Sequence, residues 1–312
     1  MTAFAFVFPG QGSQSVGMLD GWGDHPVVAQ TLAEASEVLG EDLGALIHQG
    51  PRELLDLTTH TQPVMLAASV ACYRAWMAET ALAPQFVAGH SLGEYSALVA
   101  SGALTLAAAL PLVRFRAQAM QEAVPVGEGA MAAILGLEAQ AVVDGCARVA
   151  ADCGHSVQAV NFNDPKQTVI AGSRAGVEAA CEWLKAHGAK RALMLQVSAP
   201  FHSSLMRPAA DRLAEKLQAT PLSPPQIPLV NNIDVQIRDD VPGIRDALYR
   251  QAFGPVRWVE TVQAIAARGV THVIECGPGK VLAGLVKRID ASLVCATLQD
   301  PTSLRDVRGM LA

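Results

Sequence analysis

The stretch Phe86-Val-Ala-Gly-His-Ser-Leu-Gly-Glu-Tyr95 restricts the fold of this chain more than any other. An apolar, strand-like run leads up to Gly89. A second apolar run, of helical character, starts at Leu92, so the chain reverses within two or three residues. Gly89-His-Ser-Leu-Gly93 has the spacing G-x-S-x-G, in which two glycines let a strand and a helix approach closely around a strained serine. The Ser91 hydroxyl is then pushed out at the sheet edge, beside a helix N-terminus whose dipole and free N–H groups favour a developing oxyanion. A plain glycine-rich turn is the competing reading. The flanking strand and helix favour a nucleophile, because they supply the context that the motif alone lacks.

The rest of the chain suits such an elbow. Short apolar runs alternate with longer helical patterns, which predicts an α/β protein with a mainly parallel sheet. Ala3–Phe8 reads as a strand ending at Pro9-Gly10. Leu32–Leu46 reads as one helix, and Pro63–Ala78 as a strongly apolar helix with Pro63 in its first turn. Phe86–Ala88 reads as a strand and Leu92–Ala100 as a helix. A further helix, capped by Thr105, runs towards Ala123 with Pro111 kinking it.

From Ala130 the texture changes. Strands at 130–136, 157–161, 168–172 and 191–197 interleave with helices at 138–151 and 175–187. That order is βαββαβ, the split pattern of ferredoxin-like domains. The length of 312 residues suits about two domains at ~150 residues each. The expected division is a body of 1–125 and 198–312 with 126–197 inserted. A helix at 208–219, a linker at 221–228 and strands at 229–231 and 272–276 return the chain to the body.

Composition excludes several classes. With 51% hydrophobic and 17% charged residues, the chain can bury a substantial core. A net charge of −6 argues against a nucleic-acid coat or a polybasic membrane anchor. The six cysteines are scattered without a C-x-x-C pair, which predicts reduced thiols in a cytoplasmic protein and no metal site. The first residues, MTAFAFVFPGQG, lack the basic flank of a signal peptide. From Tyr95 to Val113 there is no charged residue, but Ser101-Gly102 and Pro111 break the run. It reads as two core helices around a turn rather than a membrane span.

A nucleophilic serine needs a base. Of the eight histidines, His202 leads. It lies in Val197-Ser-Ala-Pro-Phe-His-Ser203, at a loop tip between a strand and a helix, and active-site residues concentrate on such loops. His90 adjoins the serine, but consecutive side chains diverge at a tight turn, so a structural role suits it better. In Phe8-Pro-Gly-Gln-Gly-Ser-Gln14, Gly10 and Gly12 free the backbone to face a ligand, and the Gln11 N–H could serve an oxyanion. A nucleotide loop is disfavoured, since the P-loop lysine is missing and G-x-G-x-x-G is not matched. Arg116 shares a helical face with Leu112, Val113, Ala119 and Met120. A guanidinium on an apolar stripe needs an anionic partner, and its planar fork suits a carboxylate. Snorkelling or an internal acid is the alternative.

Taken in order, Phe8–Gln14, Gly89–Tyr95, Arg116, Val160-Asn-Phe-Asn163, Pro200–Ser203, Val230-Asn-Asn232, Arg250-Gln251 and Glu275-Cys-Gly-Pro-Gly-Lys280 resemble the malonyl-CoA:acyl carrier protein transacylase family over essentially the whole chain. The resemblance implies an α/β-hydrolase-like body with a ferredoxin-like insertion. It implies that Ser91 takes the malonyl group from coenzyme A and that His202 acts as base and then as acid. It assigns Gln251 to orient His202 by accepting from its ring N–H, and the N–H groups of Gln11 and Leu92 to the oxyanion hole. Arg116 would bind the malonyl carboxylate, with Phe201 and Asn161 also binding substrate. The Phe201 ring would crowd a 2-methyl branch, a filter worth only ~1–3 kcal/mol.

The expected partners are malonyl-CoA and an acyl carrier protein, with no cofactor, nucleic acid or membrane, for a monomer supplying fatty acid biosynthesis. An acidic carrier would need a local basic patch, for which Lys190, Arg191, Lys280, Lys287 and Arg288 are candidates. Three other readings stay open. One is an ordinary hydrolase using Asp144, Asp152 or Asp164 as the triad acid. Another is the same transfer in a polyketide or malonate-decarboxylase setting. The third is a non-enzymatic binding module.

Overall fold

A computed structural model describes residues 2–312. Its body is built on a parallel five-stranded sheet in the order β7-β2-β1-β8-β9, where β1 is Phe4–Phe8, β2 Phe86–Gly89, β7 Leu229–Val230, β8 His272–Cys276 and β9 Val294–Leu298. Strand β1 explains the layering. Phe4, Phe6 and Phe8 alternate with Ala5 and Val7, and successive side chains face opposite sides of a sheet. The phenylalanines pack on one face, where Phe6 makes an edge contact with Trp76 at a centroid distance of 5.6 Å. Ala5 and Val7 pack on the other face, in a separate apolar cluster with Trp258, Val262, Leu282 and Leu285.

The aromatic face is covered by α1 (Pro26–Leu39), α2 (Leu43–Gln49), α3 (Arg52–Leu55), α4 (Thr58–Thr80), α5 (Gly93–Ala100) and α6 (Leu106–Glu122). Thr105 caps α6 by accepting from the Ala108 N–H. The helix runs unbroken through Pro111, which is exposed, as is Ala107, whose carbonyl loses its helical donor there. The uncharged stretch thus forms two helices around the Ser101-Gly102 turn. No helix among the described residues is long and apolar enough to cross a membrane.

A second, antiparallel sheet has the order β4-β5-β3-β6, from β3 (Gly129–Leu135), β4 (Val157–Asp164), β5 (Gln167–Ser173) and β6 (Arg191–Met194). Helices α7 (Ala139–Cys153) and α8 (Arg174–Ala186) pack against it. This is the ferredoxin-like order of a split βαββαβ unit. It joins the body where β4 meets Val256: the Phe162 N–H donates to Val256 O at 2.9 Å, and the Val256 N–H to Val160 O at 2.8 Å. The chain is completed by α9 (Arg207–Ala219), α10 (Val241–Phe253), α11 (Trp258–Ala266), α12 (Val281–Ile289) and α13 (Pro301–Leu311).

Three local expectations are corrected. The helix expected over Leu32–Leu46 is two, because Gly40 takes the left-handed conformation (φ 66°) and Asp42 caps a new helix through the Ala45 N–H. Pro63 lies beyond the first turn of α4, which begins at Thr58 rather than Pro63. The strand expected over Arg191–Val197 ends at Met194.

Candidate active site

Ligands of open parallel sheets bind outside the carboxyl ends of the strands. Here the neighbouring strands β1, β2 and β7 end at the loops carrying Gln11, Ser91 and Asn232 respectively. Ser91 is the residue between β2 and α5 that takes the left-handed conformation, with φ 54°. The two flanking glycines are needed because the backbones touch. A Cβ on Gly89 would lie 1.9 Å from the Gly93 carbonyl carbon, and one on Gly93 would lie 2.1 Å from Phe8 O.

The backbone of Ser91 is gripped on both sides. Its N–H donates to Asn232 Oδ1 at 2.7 Å, and its carbonyl accepts from Gln251 Nε2 at 3.1 Å. Its Oγ lies 2.7 Å from His202 Nε2. His202 also has a positive φ, 65°, at the tip of the loop after β6. Its Nδ1 lies 2.9 Å from the main-chain oxygen of Gln251, which makes Nδ1 the protonated nitrogen and leaves Nε2 to accept from the serine. The acceptor on Gln251 is thus its backbone carbonyl. Its side-chain amide is engaged elsewhere.

Arg116 is 2% exposed. Nη1 donates to Gln62 Oε1 at 2.8 Å, and Nη2 donates to Gln251 Oε1 at 3.1 Å and approaches Ser91 Oγ at 3.4 Å. Its carbon centre lies 5.5 Å from the centroid of the Tyr95 ring. Among the described residues it forms no ion pair with an acid, so the internal-acid alternative loses its basis. Burial of a charge with only neutral partners lowers the Arg116 pKa. Burial first, and then the Arg116 charge, push the His202 imidazole down to about 3, so it is neutral near pH 7.

These groups open into a pocket of about 440 Å³ between the body and the small sheet. Gln11, Leu92, Arg116 and Phe201 line it from the body, and Met131 and Asn161 from the small sheet. The Gln11 and Leu92 N–H groups donate to no acceptor among the described residues and are free for an oxyanion. The Asn161 side-chain oxygen is buried without a partner. His90 lines the same pocket but bonds Asn163 Oδ1 through Nε2 at 2.8 Å and packs edge-on against Trp258, away from the Ser91 hydroxyl.

The acids proposed for an ordinary triad are elsewhere. Asp144 accepts from Gln140, Asp152 pairs with Arg148, and Asp164 pairs with Arg288 at 2.7 Å. The last pair also engages one of the candidate carrier-binding cations.

Sequence reasoning gave no role to three residues that shape the site: Glu94 and Asn232, which it quoted only as parts of motifs, and Gln62, which it did not name. Each is polar and nearly fully buried. The motifs that hold Glu94 and Asn232 mark their positions without giving a role, and Gln62 has no local signal beyond following the polar run Thr58-Thr-His-Thr61.

Residues 5–298 match the model of the acyl transferase domain family. The chain is 52% identical to the malonyl CoA-acyl carrier protein transacylase of Escherichia coli strain K12, over 97% of this chain and 98% of that one. A crystal structure of an acyl-carrier-protein S-malonyltransferase from Burkholderia pseudomallei 1710b is 62% identical, with a TM-score of 0.97, covering 99% of this chain and 100% of that one. A malonyl-transacylase solved in complex with a type II polyketide acyl-carrier protein is 51% identical, with a TM-score of 0.97, covering 99% of this chain and 100% of that one.

Proposed function

The chain belongs to the acyl transferase family, and from that premise we propose that it moves the malonyl group of malonyl-CoA onto the phosphopantetheine thiol of an acyl carrier protein, through a malonyl ester on Ser91. The observation that carries this reading is the 2.7 Å contact between Ser91 Oγ and His202 Nε2, with the buried Arg116 fork beside it.

In the first half-reaction the Ser91 hydroxyl gives its proton to His202 Nε2 as Oγ bonds to the thioester carbonyl carbon. The N–H groups of Gln11 and Leu92 hold the resulting oxyanion. The carbon–sulfur bond then breaks, and His202 returns the proton to the departing coenzyme A sulfur. In the second half-reaction the carrier thiol gives its proton to His202 and attacks the ester carbon. Ser91 Oγ leaves and takes the proton back, so the enzyme is regenerated unchanged. Gln251 orients His202 through its main-chain oxygen. Arg116 holds the free carboxylate, and Phe201 and Asn161 border the acyl group.

We read 126–197 as the inserted subdomain that closes one wall of the pocket. Six free cysteines support a reducing, cytoplasmic setting, and we take the chain to act as a monomer. Supply of fatty acid biosynthesis is the primary pathway reading. The relative bound to a polyketide carrier favours polyketide supply as the second, and rates measured with carriers of the two kinds decide between them.

The test is intact-mass spectrometry after mixing with malonyl-CoA. Wild type gains one malonyl group and passes it to a carrier thiol faster than to water, whereas Ser91→Ala gains none. Full labelling of Ser91→Ala ends the proposal, and hydrolysis outrunning transfer makes the chain a thioesterase.

A further inference from the structure

We propose that Glu94 is a positioning residue whose carboxylate ties together the two side chains that grip Ser91. The inference rests on the malonyl-transfer reading for its assay and on geometry for its substance.

A left-handed serine is strained and persists only where its surroundings over-determine it. Here those surroundings come from far along the chain. Asn232 follows β7 and holds the Ser91 N–H, while its own Nδ2 donates to Gly89 O at 2.7 Å. Gln251, on α10, holds the Ser91 carbonyl. Neither element is bonded to the elbow in sequence. What joins them is one oxygen: Glu94 Oε2 accepts from the Asn232 main-chain N–H at 3.0 Å and from Gln251 Nε2 at 2.8 Å. Glu94 lies in the first turn of α5, where its own N–H donates to Ser91 O at 3.1 Å. The carboxylate is therefore fixed to the elbow that it braces.

The same bond sets the direction of the Gln251 amide. Its Nε2 must face Glu94, so its Oε1 must face Arg116, to which it is bonded. Were the amide reversed, N–H would meet N–H at the guanidinium. Glu94 thus acts on Arg116 through one intervening amide without pairing with it, and leaves the fork free for a substrate carboxylate. A core role alone does not account for an acid that is 1% exposed and has no cation in direct contact. Burial raises its carboxyl to about 7, so the site keeps a group that folding disfavours.

The test uses the full chain with Glu94→Leu, Glu94→Ala and Glu94→Gln. Leucine fills the volume without an acceptor, alanine removes both, and glutamine retains one carbonyl oxygen for the two donors. Malonyl- and acetyl-enzyme formation are followed by rapid quench and intact mass. Since a misplacement of ~1 Å costs on the order of 100-fold, leucine and alanine are each expected to slow malonylation about 100-fold, with glutamine recovering to within about tenfold of wild type. The malonyl-over-acetyl ratio falls in the first two and is largely kept in the third. Leucine or alanine at the wild-type rate, or glutamine as slow as leucine, overturns the proposal. If one acceptor-free variant does not fold, the other and glutamine still decide it. A wild type that forms no malonyl-enzyme instead defeats the malonyl-transfer reading itself.

Discussion

Replacing Arg116 by alanine tests whether its fork makes the pocket prefer malonyl to acetyl. Nη1 of Arg116 has one protein acceptor, Gln62, whereas Nη2 has Gln251 at 3.1 Å and Ser91 Oγ at a longer 3.4 Å. A guanidinium nitrogen of this kind carries two N–H groups, so one on Nη1 is unengaged and the long contact from Nη2 to Ser91 Oγ is the one a substrate carboxylate replaces. Two charge-assisted hydrogen bonds at ~1.5–3 kcal/mol each amount to ~3–6 kcal/mol, or a preference on the order of 10²–10⁴ for the acyl group bearing a carboxylate. A second effect has the same sign. The Arg116 charge is one of the causes that hold the His202 imidazole near 3, and a bound carboxylate offsets that charge. Malonyl therefore restores part of the basicity of His202, whereas acetyl leaves it depressed. Arg116→Ala removes both advantages. It is expected to slow malonylation and to ease acetylation, so that the ratio of the two kcat/KM values falls by on the order of 10² or more. The ratio is the proper readout because damage from stranding Gln62 and Gln251 affects both substrates alike. Arg116→Lys, a point charge without a fork, is expected to fall between. Rapid-quench acylation with malonyl-CoA and acetyl-CoA measures it. A ratio within threefold of wild type in the alanine variant refutes the carboxylate clamp.

His202 also links stability to pH. Its folded pKa of about 3 lies below the unfolded value, so its contribution is complete above about 6.5 and is lost as pH falls through that window, about 2 kcal/mol of it by pH 5. The stability difference between wild type and His202→Gln, from urea melts at pH 7 and pH 5, is expected to shift by that amount; a pH-independent difference refutes it. Gly93→Ala places a Cβ 2.1 Å from Phe8 O, against an ordinary contact of ~3.5 Å, so α5 must retreat from β1 by more than ~1 Å. That displacement is expected to cost on the order of 100-fold in acylation, whereas Gly309→Ala, with open space at its Cβ, leaves the rate unchanged; a fully active Gly93→Ala refutes the close-approach argument.

How much of this was legible in the sequence follows from how far each interaction reaches. The elbow is local: strand, two glycines, serine and helix lie within ten residues, and their steric demands are written in their order. The βαββαβ unit was legible for the same reason, since each of its elements has its own periodicity. The errors over 32–46 and at Pro63 were local too. A left-handed glycine cap and a proline beyond the first turn override a continuous apolar pattern. The C-terminal helices carried start signals that an apolar-run reading passes over, such as Asp240 before Pro242 and the capping box from Asp300 to Ser303. The site beyond Ser91 is different in kind. His202 lies 111 positions from the serine it contacts, and Gln251 lies 160 from the carbonyl it holds. His202 could be singled out by its chemistry, because few residue types act as a base. Asn232 and Glu94 lie within quoted motifs but could be given no role, because an amide and a carboxylate fit many. Their meaning arises only when β7 and α10 are laid beside α5. There, one oxygen accepts from both holders of a strained turn. The sequence therefore names the groups that react more readily than those that hold them in place, because the holders acquire their role only from the packing of distant segments.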